Sequence, residues 1–173
     1  MNILFIIITL FWLGEFLIFP SLKKEEKSRK KSFSIILSSI LLIVILNAIM
    51  YFKDILLFDN TLLKVLALII YTSGLILRYW SLILLGQNFS RDVEVSNEQE
   101  LVSHGTYKYF RHPLYLGLFL LTIAVPLYVG NILVFFLSIL IMSIVINIRI
   151  KEEESFMENV LGERYISWKN ERY

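Results

Sequence analysis

Two polar segments in the second half of this chain carry the side chains that could do chemistry. The first contains the run Arg111–His112–Pro113–x–Tyr115–x–Gly117. Proline suits the first turn of a helix, so His112 should lie at a helix N-terminus, where unpaired N–H groups and the helix dipole attract a carboxylate. Gly117 would let a ligand or another backbone approach closely. The alternative is a helix start with side chains that anchor at the membrane interface.

The second segment is acidic and follows the last apolar block. Arg149 and Glu153 are four residues apart and would share one face of a helix. Glu152, Glu153 and Glu154 cannot all point the same way, because each residue turns the helix by about 100°. One of them could therefore face a site while its neighbours face water. The alternative is a solvated helix with a structural ion pair, although an acidic cluster does not suit an anionic membrane surface.

Long apolar blocks must position these two segments. Of the 173 residues, 57% are hydrophobic and 18% are charged, and the charges cluster between the apolar runs. This segregation is typical of an all-α integral membrane protein, here with five transmembrane helices. We place the helices at residues 3–19, 33–52, 62–85, 113–128 and 132–148. The first block lacks a positive n-region and a cleavage site, so we expect a retained anchor helix and not a signal peptide.

The fourth and fifth blocks are expected to form a tight antiparallel hairpin. Only Val129, Gly130 and Asn131 separate them, and these residues favour a turn. A hairpin brings its two ends together, so residues 107–117 should meet residues 149–165 in space. The two polar segments would then form one site.

Lysine and arginine residues predict the orientation of the helices. They cluster after the first block, between the third and fourth blocks, and in the C-terminal tail, whereas the opposite side has only Lys53 and, just inside the third block, Lys64. Five spans put all three basic segments on one side. We therefore expect an outside N-terminus, a cytoplasmic C-terminus and a cytoplasmic site, in what the composition and short length suggest is a prokaryotic cytoplasmic membrane.

Polar residues within the apolar blocks are functional candidates, because they are costly in a bilayer. They are Glu15, Asn47, Arg78 and Asn147. Arg78 could instead extend toward the membrane surface, and Glu15 could be solvated there. Cysteine is absent, which excludes disulfides and iron–sulfur clusters, and two histidines are too few for a histidine-rich metal site. We expect no metal.

The ordered set of motifs resembles the isoprenylcysteine carboxyl methyltransferase family and its phospholipid methyltransferase relatives. Thr106 stands where the family often has proline, and Leu161 where it usually has phenylalanine. The matching residues run from about 78 to 168 and comprise Gly86–x–Asn88–Phe89–Ser90, Leu101–Val102–x–x–Gly105–x–Tyr107–x–x–x–Arg111–His112–Pro113–x–Tyr115–x–Gly117, Arg149–x–x–x–Glu153–Glu154–x–x–Met157 and Leu161–Gly162–x–x–Tyr165.

The resemblance implies that the cytoplasmic segments bind S-adenosylmethionine. Arg149 would bind the acceptor, and Glu153 or Glu154 could take a proton from an amine acceptor. The methionyl carboxylate suits the helix N-terminus beside His112, and the sulfonium suits aromatic faces. The implied cofactor contacts are Glu100, Leu101, Val102, Tyr107, His112, Pro113, Leu114, Tyr115 and Glu153.

The chain is thus interpreted as a single membrane domain, residues 1–173. It has a three-helix membrane body, residues 1–85, and a cofactor-binding core, residues 86–173. The implied function is methyl transfer to a lipophilic or lipid-modified acceptor that enters from the bilayer, most like O-methylation of an isoprenylcysteine carboxyl group. The alternatives are N-, O- or S-methylation of a phospholipid or small molecule, a nicotinamide-dependent membrane reductase, and a non-enzymatic membrane protein. No nucleic acid is expected as a partner.

Overall fold

The structure is a computed structural model and describes residues 1–19, 31–86, 89–91 and 101–172. Across those ranges the chain forms six α-helices, one short 3-10 helix and no β-strand. The α-helices are α1 (Asn2–Ile18), α2 (Lys31–Phe52), α3 (Thr61–Leu85), α4 (Pro113–Val129), α5 (Ile132–Leu161) and α6 (Glu163–Asn170), and the 3-10 helix is Gly105–Lys108.

Helices occupy all five predicted apolar blocks. Three of them, α2, α3 and α5, are long and apolar enough to cross a membrane. The other two, α1 and α4, are apolar helices of 17 residues each, which at 1.5 Å per residue fall short of about 30 Å of hydrocarbon. Large apolar side chains point outward along the helices, with Leu17, Leu62 and Ile3 among the most exposed. An apolar outer surface of this extent identifies an integral membrane protein.

The predicted hairpin of α4 and α5 is confirmed. Gly130 ends α4 at a φ of 85°, a conformation that favours glycine. A Cβ at this position would lie 2.2 Å from the carbonyl oxygen of Phe58, so the turn has no room for a side chain. The fully buried Asn131 begins α5, and its side-chain oxygen accepts a hydrogen bond of 3.1 Å from the backbone N–H of Val134.

Helices α3 and α4 cross in close contact near Gly117. A Cβ at Gly74 would lie 3.0 Å from the carbonyl oxygen of Gly117, and a Cβ at Gly117 would lie 2.9 Å from the Cβ of Arg78. The two helix backbones therefore touch, as small residues allow in membrane helix pairs. Of the two predicted roles for Gly117, the structure supports the approach of another backbone.

Helix α5 extends well past its apolar part, as predicted. Residues 132–148 are apolar, and the helix continues through the acidic segment to Leu161. Gly162 then adopts a φ of 55°, and α6 begins at Glu163. The chain thus turns back toward the start of α4, which brings α6 against the first polar segment.

Candidate functional site

The N-terminus of α4 lies where the sequence predicts it. His112 is the residue before the helix, and Pro113 occupies the first turn and is fully buried. The Nε2 atom of His112 lies 3.0 Å from Oε1 of Glu154 on α5. The prediction that the two ends of the hairpin meet is therefore confirmed.

The hydroxyl group of Tyr115 lies between Arg149 and Glu153. It donates a hydrogen bond of 2.6 Å to Oε2 of Glu153 and accepts one of 2.9 Å from Nε of Arg149. The Nη2 atom of Arg149 donates to the carbonyl oxygen of Arg91 at 2.9 Å. Arg149 is only 3% exposed, so these hydrogen bonds compensate part of the cost of burying its charge. Arg149 and Glu153 share a helix face, as predicted, but Tyr115 links them through its oxygen.

Glu154 is surrounded by cationic side chains. Its Oε1 atom also accepts a hydrogen bond of 3.2 Å from Arg111, and its Oε2 atom lies 2.7 Å from Nζ of Lys169 on α6. The hydrogen bond with His112, and after it the one with Lys169, lowers the pKa of Glu154 to about 2, although burial acts in the opposite direction. Two adjacent glutamates thus contact the start of α4, whereas the sequence suggested one.

The first polar segment is bound by Trp168 on α6 and by Arg172, which lies just beyond the end of α6. Nε1 of Trp168 donates to the carbonyl oxygen of Val102 at 3.0 Å and lies 3.1 Å from Oγ of Ser103. Nε of Arg172 donates to the carbonyl oxygen of Tyr107 at 2.9 Å. Tyr107 is itself buried, and burial raises the pKa of its phenol group. These contacts bring Val102 and Tyr107 to the same side of the molecule as Glu154.

Sequence reasoning missed this role of α6, although a signal was available. Tyr165 and Trp168 are three residues apart and share one helix face, and Arg172 follows four residues later. The predicted contact with the first polar segment extended only to residue 165, whereas Trp168 and Arg172 also take part.

An open cleft of about 450 Å3 lies beside this contact. Small-molecule sites commonly measure about 300–1,000 Å3, so the cleft is large enough for a nucleoside. Leu101 is the predicted cofactor contact that lines it. The other lining residues are Ser103, Arg164, Trp168 and Glu171.

Tyr165 provides a buried hydroxyl group without a hydrogen-bond partner among the described residues. The residue is fully buried, and its ring stacks on Trp168 with the ring centres 5.7 Å apart. Burial is the largest cause that raises the pKa of the phenol, followed by the charges of Glu154 and Glu153. A buried hydroxyl group that lacks a partner is costly. A bound molecule with a polar group here would remove that cost.

The structure brings together most of the predicted site residues. One hydrogen bond joins His112 to Glu154, and two others join Tyr115 to Arg149 and Glu153. The carbonyl oxygen of Leu114 accepts a hydrogen bond of 3.2 Å from Nη1 of Arg78. The predicted contact Glu100, and Asn88 of the upstream motif, lie outside the described residues.

Two of the polar residues within the membrane form an ion pair. Nη2 of Arg78 donates to Oε1 of Glu15 at 2.6 Å, and Nε of Arg78 donates to Oε2. Glu15 is fully buried and Arg78 is 9% exposed. The suggestions of an extended Arg78 and a solvated Glu15 are therefore wrong. Asn147 donates to the carbonyl oxygen of Ser143 in its own helix.

Replacing Trp168 by phenylalanine is expected to loosen residues 101–104. Phenylalanine keeps the aromatic stack on Tyr165 but removes the N–H group that bonds Val102 and Ser103. Amide hydrogen exchange in residues 101–104 should become faster by about fivefold, the equivalent of one hydrogen bond of about 1 kcal/mol. The control is Ile166→Ala, at an exposed position of the same helix. Equal exchange in wild type and W168F would contradict the assigned role.

Known relatives match the part of the chain that forms this site. Residues 65–159 match the profile of the Isoprenylcysteine carboxyl methyltransferase (ICMT) family. The chain is 34% identical over 111 residues to a protein-S-isoprenylcysteine O-methyltransferase of Xenopus laevis, which covers 63% of this chain and 38% of the frog protein. A protein of the same name from Schizosaccharomyces pombe is 33% identical over 98 residues, or 53% of this chain and 40% of the yeast protein. The chain thus matches well under half the length of these relatives.

A solved structure has the same fold. It is that of a eukaryotic intramembrane Ras methyltransferase, ICMT, and it superposes with a TM-score of 0.67 at 24% sequence identity. The superposition covers 96% of this chain and 61% of that protein. The family profile alone spans more than half of the chain and includes His112, Arg149 and Glu153. The chain therefore belongs to the isoprenylcysteine carboxyl methyltransferase family.

Proposed function

We propose that this protein is an S-adenosylmethionine-dependent methyltransferase that acts on a lipophilic acceptor, with an isoprenylcysteine carboxyl group as the acceptor that fits best. One observation supports this most strongly. Arg149 is buried at the membrane end of the acidic segment, with Tyr115 and Glu153 beside it. A buried guanidinium group can bind a carboxylate through two parallel hydrogen bonds, which suits a carboxyl acceptor.

The residues present fit S-adenosylmethionine. The N-terminus of α4 with His112 suits its carboxylate, and Glu153 suits its amino group or ribose hydroxyls. The buried hydroxyl group of Tyr165 lacks a protein partner in the described part of the chain, and Trp168, on which its ring stacks, lines the cleft that has room for a nucleoside. Leu101, Val102, Tyr107, Pro113, Leu114 and Tyr115 complete the proposed contacts, together with Glu100.

For methyl transfer to a carboxylate, the protein mainly has to position the two reactants. S-adenosylmethionine, when bound, supplies an electrophilic methyl group on a positively charged sulfur. Arg149 would orient a carboxylate acceptor, and the surrounding buried side chains would exclude water. A carboxylate needs no general base, because it carries no proton to remove.

An amine acceptor would need a base, and the geometry disfavours one. Glu154 would be a poor base, since its pKa of about 2 is far below neutral pH. Glu153 already accepts a hydrogen bond from Tyr115. We therefore prefer O-methylation of a carboxyl group to N-methylation of a phospholipid amine, and we assign Glu154 a positioning role in place of the catalytic role that the sequence suggested.

The proposed topology has five spans, with the N-terminus outside and the site in the cytoplasm of a prokaryotic cell. The basic residues Lys108, Arg111, Lys169 and Arg172 lie on the same end of the molecule as the site. S-adenosylmethionine is made in the cytoplasm, so this orientation supplies the cofactor. The acceptor's lipid part would reach Arg149 from the bilayer, past the apolar outer face of α5.

Binding and transfer experiments test the proposal directly. Purified protein in detergent should bind S-adenosylmethionine, but not NADPH, in isothermal titration calorimetry. It should transfer a labelled methyl group to a prenylcysteine with a free carboxyl group and leave phosphatidylethanolamine and the prenylcysteine methyl ester unlabelled. Binding of NADPH would favour a reductase, and binding of neither NADPH nor S-adenosylmethionine would favour a non-enzymatic protein. Labelling of phosphatidylethanolamine would reject the preferred acceptor.

A further inference from the structure

The ion pair between α1 and α3 uses every nitrogen of a buried guanidinium group. Nε and Nη2 of Arg78 donate to the two carboxylate oxygens of Glu15, and Nη1 donates to the carbonyl oxygen of Leu114 at 3.2 Å. One side chain of α3 therefore contacts α1 on one side and the first turn of α4 on the other.

Leu114 lies in the middle of the proposed cofactor contacts. Pro113 precedes it and Tyr115 follows it, and all three belong to the first turn of α4. The close crossing at Gly117 already fixes the distance between α3 and α4. The hydrogen bond from Arg78 adds a directional contact next to the residues that would bind the cofactor.

Stability alone does not explain this arrangement. Removing a charged pair from water costs free energy that the mutual attraction often only balances, and apolar pairs of similar volume frequently replace buried ion pairs without loss of folding. A fixed geometry is what the pair provides. Arginine is needed for it, because the planar guanidinium group has five N–H donors in a rigid fork, whereas a lysine ammonium group cannot contact both carboxylate oxygens and the carbonyl in the same way.

The end of α1 also lies close to the residue proposed to bind the acceptor. Nη2 of Arg91 donates to the carbonyl oxygen of Phe19 at 2.8 Å, and its guanidinium carbon lies 4.7 Å from the ring centre of Phe16. The carbonyl oxygen of Arg91 in turn accepts the hydrogen bond from Arg149. Helix α1 thus connects to both the cofactor side and the acceptor side of the site.

We propose that α1 is a positioning helix for the methyl-transfer site and that Arg78, bound by Glu15, sets the position of the first turn of α4. This inference rests on the proposed function. It also goes beyond the family comparison, because Glu15 lies outside residues 65–159. The first three helices are then more than a membrane body, since one of them orients the catalytic half.

The test separates the geometry of the pair from its contribution to folding. The double variant Glu15→Leu/Arg78→Met replaces the ion pair by apolar side chains and removes the donor to Leu114. Arg78→Lys keeps the charge and removes the fork. Thr9→Val is the control, because it removes a different contact of 3.0 Å between α1 and Tyr71 of α3, which does not involve α4.

Two measurements are made on each protein. The first is the dissociation constant of S-adenosylmethionine, and the second is amide hydrogen exchange in residues 114–118, which needs no cofactor. The double variant and R78K should remain folded, bind S-adenosylmethionine between about tenfold and a hundredfold more weakly, and exchange faster in residues 114–118. Thr9→Val should match wild type in both measurements.

The outcomes are decisive in each case. Wild-type exchange and affinity in a folded double variant would overturn the inference. If the double variant does not fold, R78K alone decides in the same way, and loss of folding in both would show that the pair is purely structural. If wild type itself fails to bind S-adenosylmethionine, the proposed function is rejected, and the exchange of residues 114–118 still tests the effect of Arg78 on α4.

Discussion

Replacing Arg149 by glutamine is expected to abolish most methyl transfer to a carboxylate acceptor while leaving cofactor binding nearly intact. The amide nitrogen of glutamine takes the position of Nε and can still hydrogen-bond Tyr115, but the side chain has no charge and no fork to bind a carboxylate. We expect kcat/KM for a prenylcysteine to fall by about a hundredfold or more, equivalent to roughly 2.7 kcal/mol of transition-state stabilisation. The dissociation constant of S-adenosylmethionine, measured by calorimetry, should change by less than about threefold, since Arg149 is assigned to the acceptor.

Two comparisons make this prediction specific. Lys151→Gln removes an exposed positive charge from the same helix and should leave kcat/KM unchanged. Arg149→Lys should give an intermediate loss, because it keeps the charge without the bidentate geometry. A parallel fall in cofactor affinity and kcat/KM for R149Q would instead place Arg149 in the cofactor site. An undiminished rate would show that another residue binds the carboxylate.

Local sequence signals predicted the hairpin half of the fold. Pro113 marks the start of α4 because it has no N–H group to lose in the first turn. Gly130 marks the hairpin because the turn needs a positive φ and has no space for a Cβ. From these two points the meeting of His112 with Glu154 follows, since a short hairpin must bring its ends together.

The ion pair in the membrane could not be predicted in the same way. Glu15 and Arg78 are 63 residues apart, and their pairing depends on how α1 rotates against α3. Each residue lies near a helix end, where extension toward the membrane surface would satisfy it equally well. Only the packed helices decide between these states, because burial removes the option of solvation.

The position of Tyr115 illustrates a second limit. The spacing of Arg149 and Glu153 predicts a shared helix face, and a direct ion pair was the simplest alternative to a site. The tyrosine hydroxyl group between them comes from α4, and its position relative to α5 depends on how α4 packs against α3 at Gly117. Similarly, the face of α6 that is buried depends on residues 101–107, which have little regular structure.

Replacing Glu153 or Glu154 by glutamine should affect two different properties of the protein, cofactor binding for Glu153 and folding stability for Glu154. Glu153→Gln is expected to weaken S-adenosylmethionine binding by about a hundredfold, because it removes the negative charge beside Tyr115 that suits the cofactor's amino group or hydroxyls. Glu154→Gln should affect binding much less. Its charge is already engaged by His112, Arg111 and Lys169, so its loss should mainly lower the thermal stability of the folded protein.

The pH dependence of stability distinguishes the two roles further. The pKa of Glu154 is lowered in the folded protein, so its contribution to stability is present at neutral pH and is lost as the pH falls from about 5 toward 2. Thermal unfolding of wild type should therefore show a decline over this range that is smaller in E154Q. Lys169 has a raised pKa through its hydrogen bond with Glu154, so Lys169→Met should reproduce part of the stability loss without removing a carboxylate. If E154Q instead loses cofactor binding as strongly as E153Q, Glu154 contacts the cofactor directly, and its assignment as a positioning residue is wrong.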